Sequence, residues 1–273
     1  MRAMKGLRRL VPGLSVFIFA AFGVIGGAGA TSANTDASDI WWNPNESGWG
    51  IELTNTGTFI FAAMFIYGLD GKPTWVVANL DKTSAAAPTF TGPVFATTGP
   101  PFNVVPFDPN QVPTQTVGTM TFVLTSVNTG LLTYSINGIT VNKSLQRQPL
   151  TLDNYSGTFA GVLTLAATNC TDPANNNPGT TGNVVVTTTQ NGPTMSQSWN
   201  LGNTTCTYNG TYSQLGRMGT FNSTWTCAAG GSGTMTMFQM TNQPGMFMGR
   251  FIIANTGNGC TINGELVGLA RRG

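Results

Sequence analysis

Four of the six tryptophans crowd one stretch, Trp41-Trp42-Asn43-Pro44-Asn45-Glu46-Ser47-Gly48-Trp49-Gly50, continued by Asp70-Gly71-Lys72-Pro73-Thr74-Trp75. Flat indole faces stack on sugar rings or apolar ligands, and a neighbouring carboxylate can orient such a ligand through its hydroxyls. The candidate ligand-binding set is therefore Trp41, Trp42, Glu46, Trp49, Glu52 and Trp75. Core packing competes with this reading, because tryptophan is mostly buried and its N–H finds a partner there. Trp49 and Trp75 fall within strand patterns and are expected to pack. Trp41 and Trp42 lie in an irregular segment, where stacking and packing stand level.

Catalysis has fewer openings. The chain contains no histidine, which removes Ser-His-Asp and Cys-His nucleophiles, histidine zinc sites and histidine-ligated haem. Acid–base chemistry would need a carboxylate pair, as in glycoside hydrolysis. Most acids sit in turn contexts, as Asp70, Asp108 and Asp172 do, and the candidates outside obvious turns are Asp39, Glu46, Glu52 and Glu265. Their spacing sets no two on one face at a defined separation. The expectation is a non-catalytic protein with no cofactor and no metal. The Asn-rich run 172–179 offers one acid among amides, a poor hard-cation site.

Compartment follows from the first residues. Arg2, Lys5, Arg8 and Arg9 precede an apolar run over 10–25, and Ala28-Gly29-Ala30 matches a small-x-small cleavage pattern. Residues 1–30 therefore read as a signal peptide and 31–38 as a linker. Pro12, Gly13, Gly23, Gly26 and Gly27 interrupt the run, against a retained anchor, so the mature chain is expected to lack a membrane span. Cleavage removes 4 of the 12 basic residues and none of the 10 acidic ones, leaving 8 − 10 = −2. No basic cluster remains, which argues against nucleic acid and anionic lipid. A secreted, periplasmic or cell-surface location is oxidising, and the 4 cysteines then read as two disulfides. The Asn-x-Ser/Thr sequons matter only if the source glycosylates secreted chains.

The elements that must carry these residues are strands. Gly and Pro supply 35 and 15 of the 273 residues, and only 8% are charged. Turn signals recur throughout, with strands expected over 49–54, 58–67, 74–79, 89–97, 117–125, 131–136 and 139–145. The strand 58–67 is apolar on both faces and is expected to be central, with something covering its outer side. Beyond Leu150 come 157–167, 182–189, 195–201, 206–214, 217–227, 233–241, 246–255 and 260–270. The fold class is all-β: an N-terminal domain over 39–149 and an eight-stranded C-terminal domain over 150–273. Each half is an antiparallel meander, barrel-like in the lipocalin or avidin manner, with a two-layer sandwich as the alternative. Met235, Met237, Met240, Met246 and Met248 gather on one hairpin, a surface able to adapt to a partner.

The Trp-rich stretch resembles the Trp-Trp-x-Pro-x-Glu-x-Gly-Trp-Gly opening of a group of secreted proteobacterial proteins. A Phe-rich strand and a Gly-x-Pro-x-Trp hairpin follow in that group, as 59–75 does here. The resemblance covers Trp41 to Trp75 well, and the second half only as a Cys/Gly pattern. It implies secretion and a bacterial source, and it brings no mechanism.

The meander also orders the cysteines. With each connection reversing direction, Cys170, Cys206, Cys227 and Cys260 all reach one end of the second half. Cys206 and Cys227 lie equally far from the Gly216-Arg217 turn, so they oppose each other across a hairpin. In a closed barrel the first strand neighbours the last, which sets Cys170 beside Cys260. Bridging needs Cα atoms within roughly 7 Å, a condition that neighbouring strands meet. The expected pairs are Cys206–Cys227 and Cys170–Cys260.

The leading functional expectation is binding of a glycan or small apolar ligand at the Trp-rich end of the first half. A structural or matrix-interaction protein, self-associating through a low-charge Thr/Asn/Gly surface, is the second. A hydrolase using Glu46 and Glu52 is the third.

Overall fold

The computed structural model describes residues 35–84, 88–243, 245–255 and 257–272. The expected signal segment and the start of the linker, including the cleavage point after Ala30, lie outside them. The chain divides into two compact units, and each holds one closed, eight-stranded antiparallel barrel in which the strands follow chain order.

The first barrel comprises β1 (Asp39–Trp42), β2 (Gly50–Asn55), β3 (Phe59–Tyr67), β4 (Pro73–Ser84), β5 (Thr89–Thr97), β6 (Thr114–Leu124), β7 (Thr129–Ile136) and β8 (Ile139–Arg147). Alternation decides what each strand buries. Ile51 and Leu53 of β2 point inward and Glu52 and Thr54 outward, while β3 sends Ile60, Ala62 and Met64 inside. Asn137 (φ 50°) and Gly138 (φ 83°) form the tight β7–β8 turn, the left-handed pair that matches strand twist in two-residue hairpins. Gly92 in β5 allows close strand approach, since a Cβ there would overlap the Asn79 carbonyl.

Closure depends on β1, which pairs Trp41 with Arg147 and Trp42 with Gln146 of β8. Residues 41 and 42 are thus a strand, not the irregular segment expected; a four-residue strand is too short to display a period. Trp41 is fully buried inside the barrel. Its Nε1 donates to Ala37 O at 2.9 Å, and its ring meets Phe122 edge-on at 5.2 Å. The Arg147 guanidinium lies 4.7 Å from that ring's centre and is itself fully buried. It donates to Asp39 Oδ2 (2.9 Å), Ser38 O (3.0 Å), Asp36 O (2.6 Å) and Val127 O (2.8 Å). Burial pushes the guanidinium pKa down, and the Asp39 carboxylate opposes that shift. A buried cation so fully bonded is tolerated where an unpaired one is not.

The second barrel comprises β9 (Gly157–Thr168), β10 (Asn177–Asn191), β11 (Thr194–Asn200), β12 (Thr205–Leu215), β13 (Met218–Cys227), β14 (Ser232–Gln243), β15 (Met246–Asn255) and β16 (Thr261–Arg272), closed by β16 against β9. Side chains fill its interior. Trp199 packs on Tyr208 and Phe251 with centroids 4.4 and 5.2 Å away, and Phe247 meets Tyr155 and Phe159 at 5.2 and 5.7 Å. Trp199 Nε1 donates to the buried Gln197 Oε1 at 3.0 Å. Disulfides join Cys170 to Cys260 and Cys206 to Cys227, the pairing expected from closure of β9 on β16 and from the β12–β13 hairpin.

Two further expectations are corrected. Met235, Met237 and Met240 are core residues, and of those five methionines only Met246 and Met248 are exposed. The outer side of β3 is not covered: Phe61, Phe65 and Tyr67 stand in the open. The barrel interior has room for one face of β3, and the aromatic residues occupy the other.

Candidate functional site

The loop 43–49 between β1 and β2 folds on itself before the chain enters β2. Asn43 Oδ1 accepts from Asn45 N at 3.0 Å, and Asn43 O from Glu46 N at 3.0 Å. Gly48 then takes φ 117°, a backbone geometry that disfavours a side chain. This turn points Glu46 back over Trp49, whose Nε1 donates to Glu46 Oε2 at 3.0 Å. Lys143 of β8 donates to the same oxygen at 2.7 Å, and its ammonium lies 5.6 Å from the Trp49 ring centre. The hydrogen bond from Lys143 holds the Glu46 carboxyl below its usual range, and the Trp49 N–H adds to the effect. Glu46 is therefore a carboxylate at neutral pH.

Beside this triad runs one rung of the sheet. Trp41 pairs with Ile51 across β1 and β2, so Trp42, next in line, comes level with Gly50. Gly50 pairs with Phe65 of β3, and Phe65 with Trp75 of β4. The rung reads Trp42, Gly50, Phe65, Trp75, all on the outer face. Neighbouring strands lie about 4.8 Å apart, so the glycine opens a slot one strand wide between the two aromatic residues that flank it. A cleft of about 280 Å³ occupies this place, lined by Trp42, Ser47, Gly48, Trp49, Gly50, Phe65 and Gln148. A second, of about 200 Å³, adjoins it and is lined by Gly48, Phe65, Ile66, Tyr67, Pro73, Thr74 and Trp75. Phe65, 56% exposed, is common to both, and Trp75 is 50% exposed. In the wall of the first cleft, Trp42 Nε1 is buried without a hydrogen-bond partner among the described residues.

Of the residues singled out from sequence, the structure brings Trp42, Glu46, Trp49 and Trp75 to this surface. Trp41 is a correction: it is a core residue, because adjacent strand residues face opposite ways and Trp42 takes the outside. Trp75 is a correction of the other sign, exposed where packing was expected, since Val76 is its inward-facing neighbour. Glu52 lies mid-strand on the outer face, opposite Ile40 and Ala63, and lines neither cleft. Asp39 is committed to Arg147, and Glu265 pairs in register with Arg250 of the second barrel. Sequence reasoning missed Phe65, Tyr67, Gly50, Lys143 and Gln148. The alternation of Phe61, Phe65 and Tyr67 with inward residues carried that signal, but a covered face and a ligand face give the same pattern. No protein-family model matches the chain, and no curated protein shows significant similarity to it.

Proposed function

We propose that this chain is a non-catalytic binding protein of the extracellular or periplasmic space, and that the outer wall of its first barrel takes a glycan. The observation that carries this reading is the aromatic rung Trp42–Gly50–Phe65–Trp75, with a cleft on either side of Phe65. Exposed aromatic residues fixed on a rigid sheet give stacking faces that need little reordering on binding. An apolar patch kept on a secreted surface points to a partner. A glycan suits it better than a purely apolar molecule, because Ser47, Gln148 and the Glu46 carboxylate stand at the cleft and beside it. An oxygen-rich ligand could also supply the acceptor that Trp42 Nε1 lacks, once the cleft lining shifts.

The carboxylate-pair hydrolase finds less support. A general acid needs a raised pKa, whereas Glu46 is held low by Lys143 and Trp49. The two disulfides suit an oxidising compartment, in line with secretion through a cleaved signal.

The test is calorimetric titration of the mature chain with cello-, chito-, xylo- and malto-oligosaccharides. One series should bind, and Phe65→Ala and Trp75→Ala should each weaken it at least tenfold without lowering the melting temperature. Gly50→Val should abolish binding by filling the slot. Absence of binding to every series, or full affinity in Phe65→Ala, would overturn the reading.

A further inference from the structure

The same barrel carries a second surface, whose loop tips the glycan reading does not use. Because its strands alternate in direction, the connections 43–49, 68–72, 98–113 and 137–138 all emerge at one end. Two of these, 68–72 and 98–113, present large apolar side chains to solvent. Leu69 is 97% exposed, Phe102 101% and Val105 90%, joined by Phe107 and, at the start of β8, Ile139. The described residues of the connections at the other end are Thr56, Gly57, Thr58, Pro88, Thr125, Ser126, Val127 and Asn128, and the two apolar ones, Pro88 and Val127, are half-buried. Single exposed apolar residues need no explanation, but several gathered on neighbouring loop tips do.

The tips are held out rather than loose. In 98–113 the Val104 amide donates to Pro101 O at 3.0 Å and the Val112 amide to Pro109 O at 3.2 Å. Asp108 caps the turn at Pro109–Gln111 by accepting from Asn110 N at 3.0 Å. Behind the tips, on the outer wall, stand Tyr67 and Trp75, half-exposed aromatic residues with one polar atom each. Apolar tips backed by tyrosine and tryptophan reproduce the order of a membrane interface, acyl chains first and headgroups next.

The charges at this end decide what kind of surface fits. Asp70 pairs with Lys72 at 3.4 Å and Glu46 with Lys143 at 2.7 Å. Asp108 is engaged by its own turn. The end thus offers no cationic cluster to anionic lipid. It suits an electrically neutral surface that accepts separate side chains without a matching socket.

We infer that this loop end inserts Leu69, Phe102, Val105 and Phe107 into the interface of a zwitterionic phospholipid bilayer, as a peripheral contact and not a span. The inference does not rest on glycan binding, which uses the rung through Gly50. It is tested by co-sedimenting the mature chain with phosphatidylcholine vesicles. Binding should survive molar salt and should not rise with added phosphatidylserine, since apolar area drives it. Phe102→Ser and Leu69→Ser, at exposed sites that leave the fold intact, should each weaken partitioning roughly tenfold. Met248→Ser with Ile252→Ser, on the second barrel, should not weaken it, and glycan titration of the Phe102→Ser protein should be unchanged. Failure of the wild-type chain to bind, release by salt, or equal binding by Phe102→Ser would overturn the inference. So would lipid-free oligomers that Phe102→Ser makes monomeric, because the tips would then meet a second copy.

Discussion

The two barrels share strand number, chain order and antiparallel closure, yet they spend their aromatic residues in opposite ways. The second keeps Trp199, Tyr208, Tyr212, Phe221, Phe247 and Phe251 inside, and two disulfides tie its strands together. The exposed large hydrophobic residues among those described in its compact unit are Leu152, Met246, Met248, Ile252 and Val267, none of them aromatic. The first has no disulfide, buries Trp41 and Phe122, and leaves Phe61, Phe65, Tyr67, Trp75, Phe102 and Phe107 in the open. A β-barrel of this size needs only its inner face to be apolar. What the outer face carries is then free of core packing, and under the proposed reading the first barrel uses it for recognition.

The largest expected effect breaks the comparison on the stability side. Cys170–Cys260 closes a separation of 90 residues and Cys206–Cys227 one of 21. In the chain-entropy model their loss costs about 4.6 and about 3.4 kcal/mol respectively. Cys170→Ser with Cys260→Ser should therefore lower the melting transition of the second barrel more than Cys206→Ser with Cys227→Ser. Calorimetry of either variant should leave the first barrel's transition in place.

Trp41→Ala should cost the first barrel about 3–5 kcal/mol, because it opens a cavity and strips the cover from Arg147. Trp75→Ala, on the outer face, should change stability by less than about 0.5 kcal/mol while weakening the proposed glycan binding at least tenfold. Urea unfolding of the two variants separates a core tryptophan from a surface one.

The contrast between those two residues also shows how far the sequence could be read. Strand alternation, Asn-Gly and Asp-Gly turns and the cysteine register were enough for two all-β halves and for both disulfides, because each signal is local or follows from closure. The tryptophans were harder. Trp41 and Trp42 sit in a strand of four residues, and their opposite fates are set by β8, which lies about a hundred residues away in the chain. Lys143 reaches Glu46 by the same long-range closure, so the Glu46–Lys143–Trp49 triad leaves no mark in sequence spacing. Gly50 falls inside the expected strand 49–54, and only the rung it shares with Trp42 and Phe65 makes it a slot.

The smallest effect concerns pH. Glu46 has its folded pKa depressed, so its pairing contributes above the ordinary carboxyl value of about 4.3 and is lost as pH falls through the lower folded value. Trp49 fluorescence should stay constant from neutral pH down to that region and change below it. In Glu46→Gln that acid-side change should disappear, with little loss of stability at neutral pH. No matching step is expected from the two tryptophans of the second barrel.

The most direct measurement follows all six indole N–H signals by NMR while the mature chain is titrated with the oligosaccharide series that binds. Trp42, Trp49 and Trp75 should shift together along one binding curve while Trp41, Trp199 and Trp225 stay in place. Shifts confined to Trp199 or Trp225, or six signals unmoved by any of the oligosaccharides, would contradict the glycan reading.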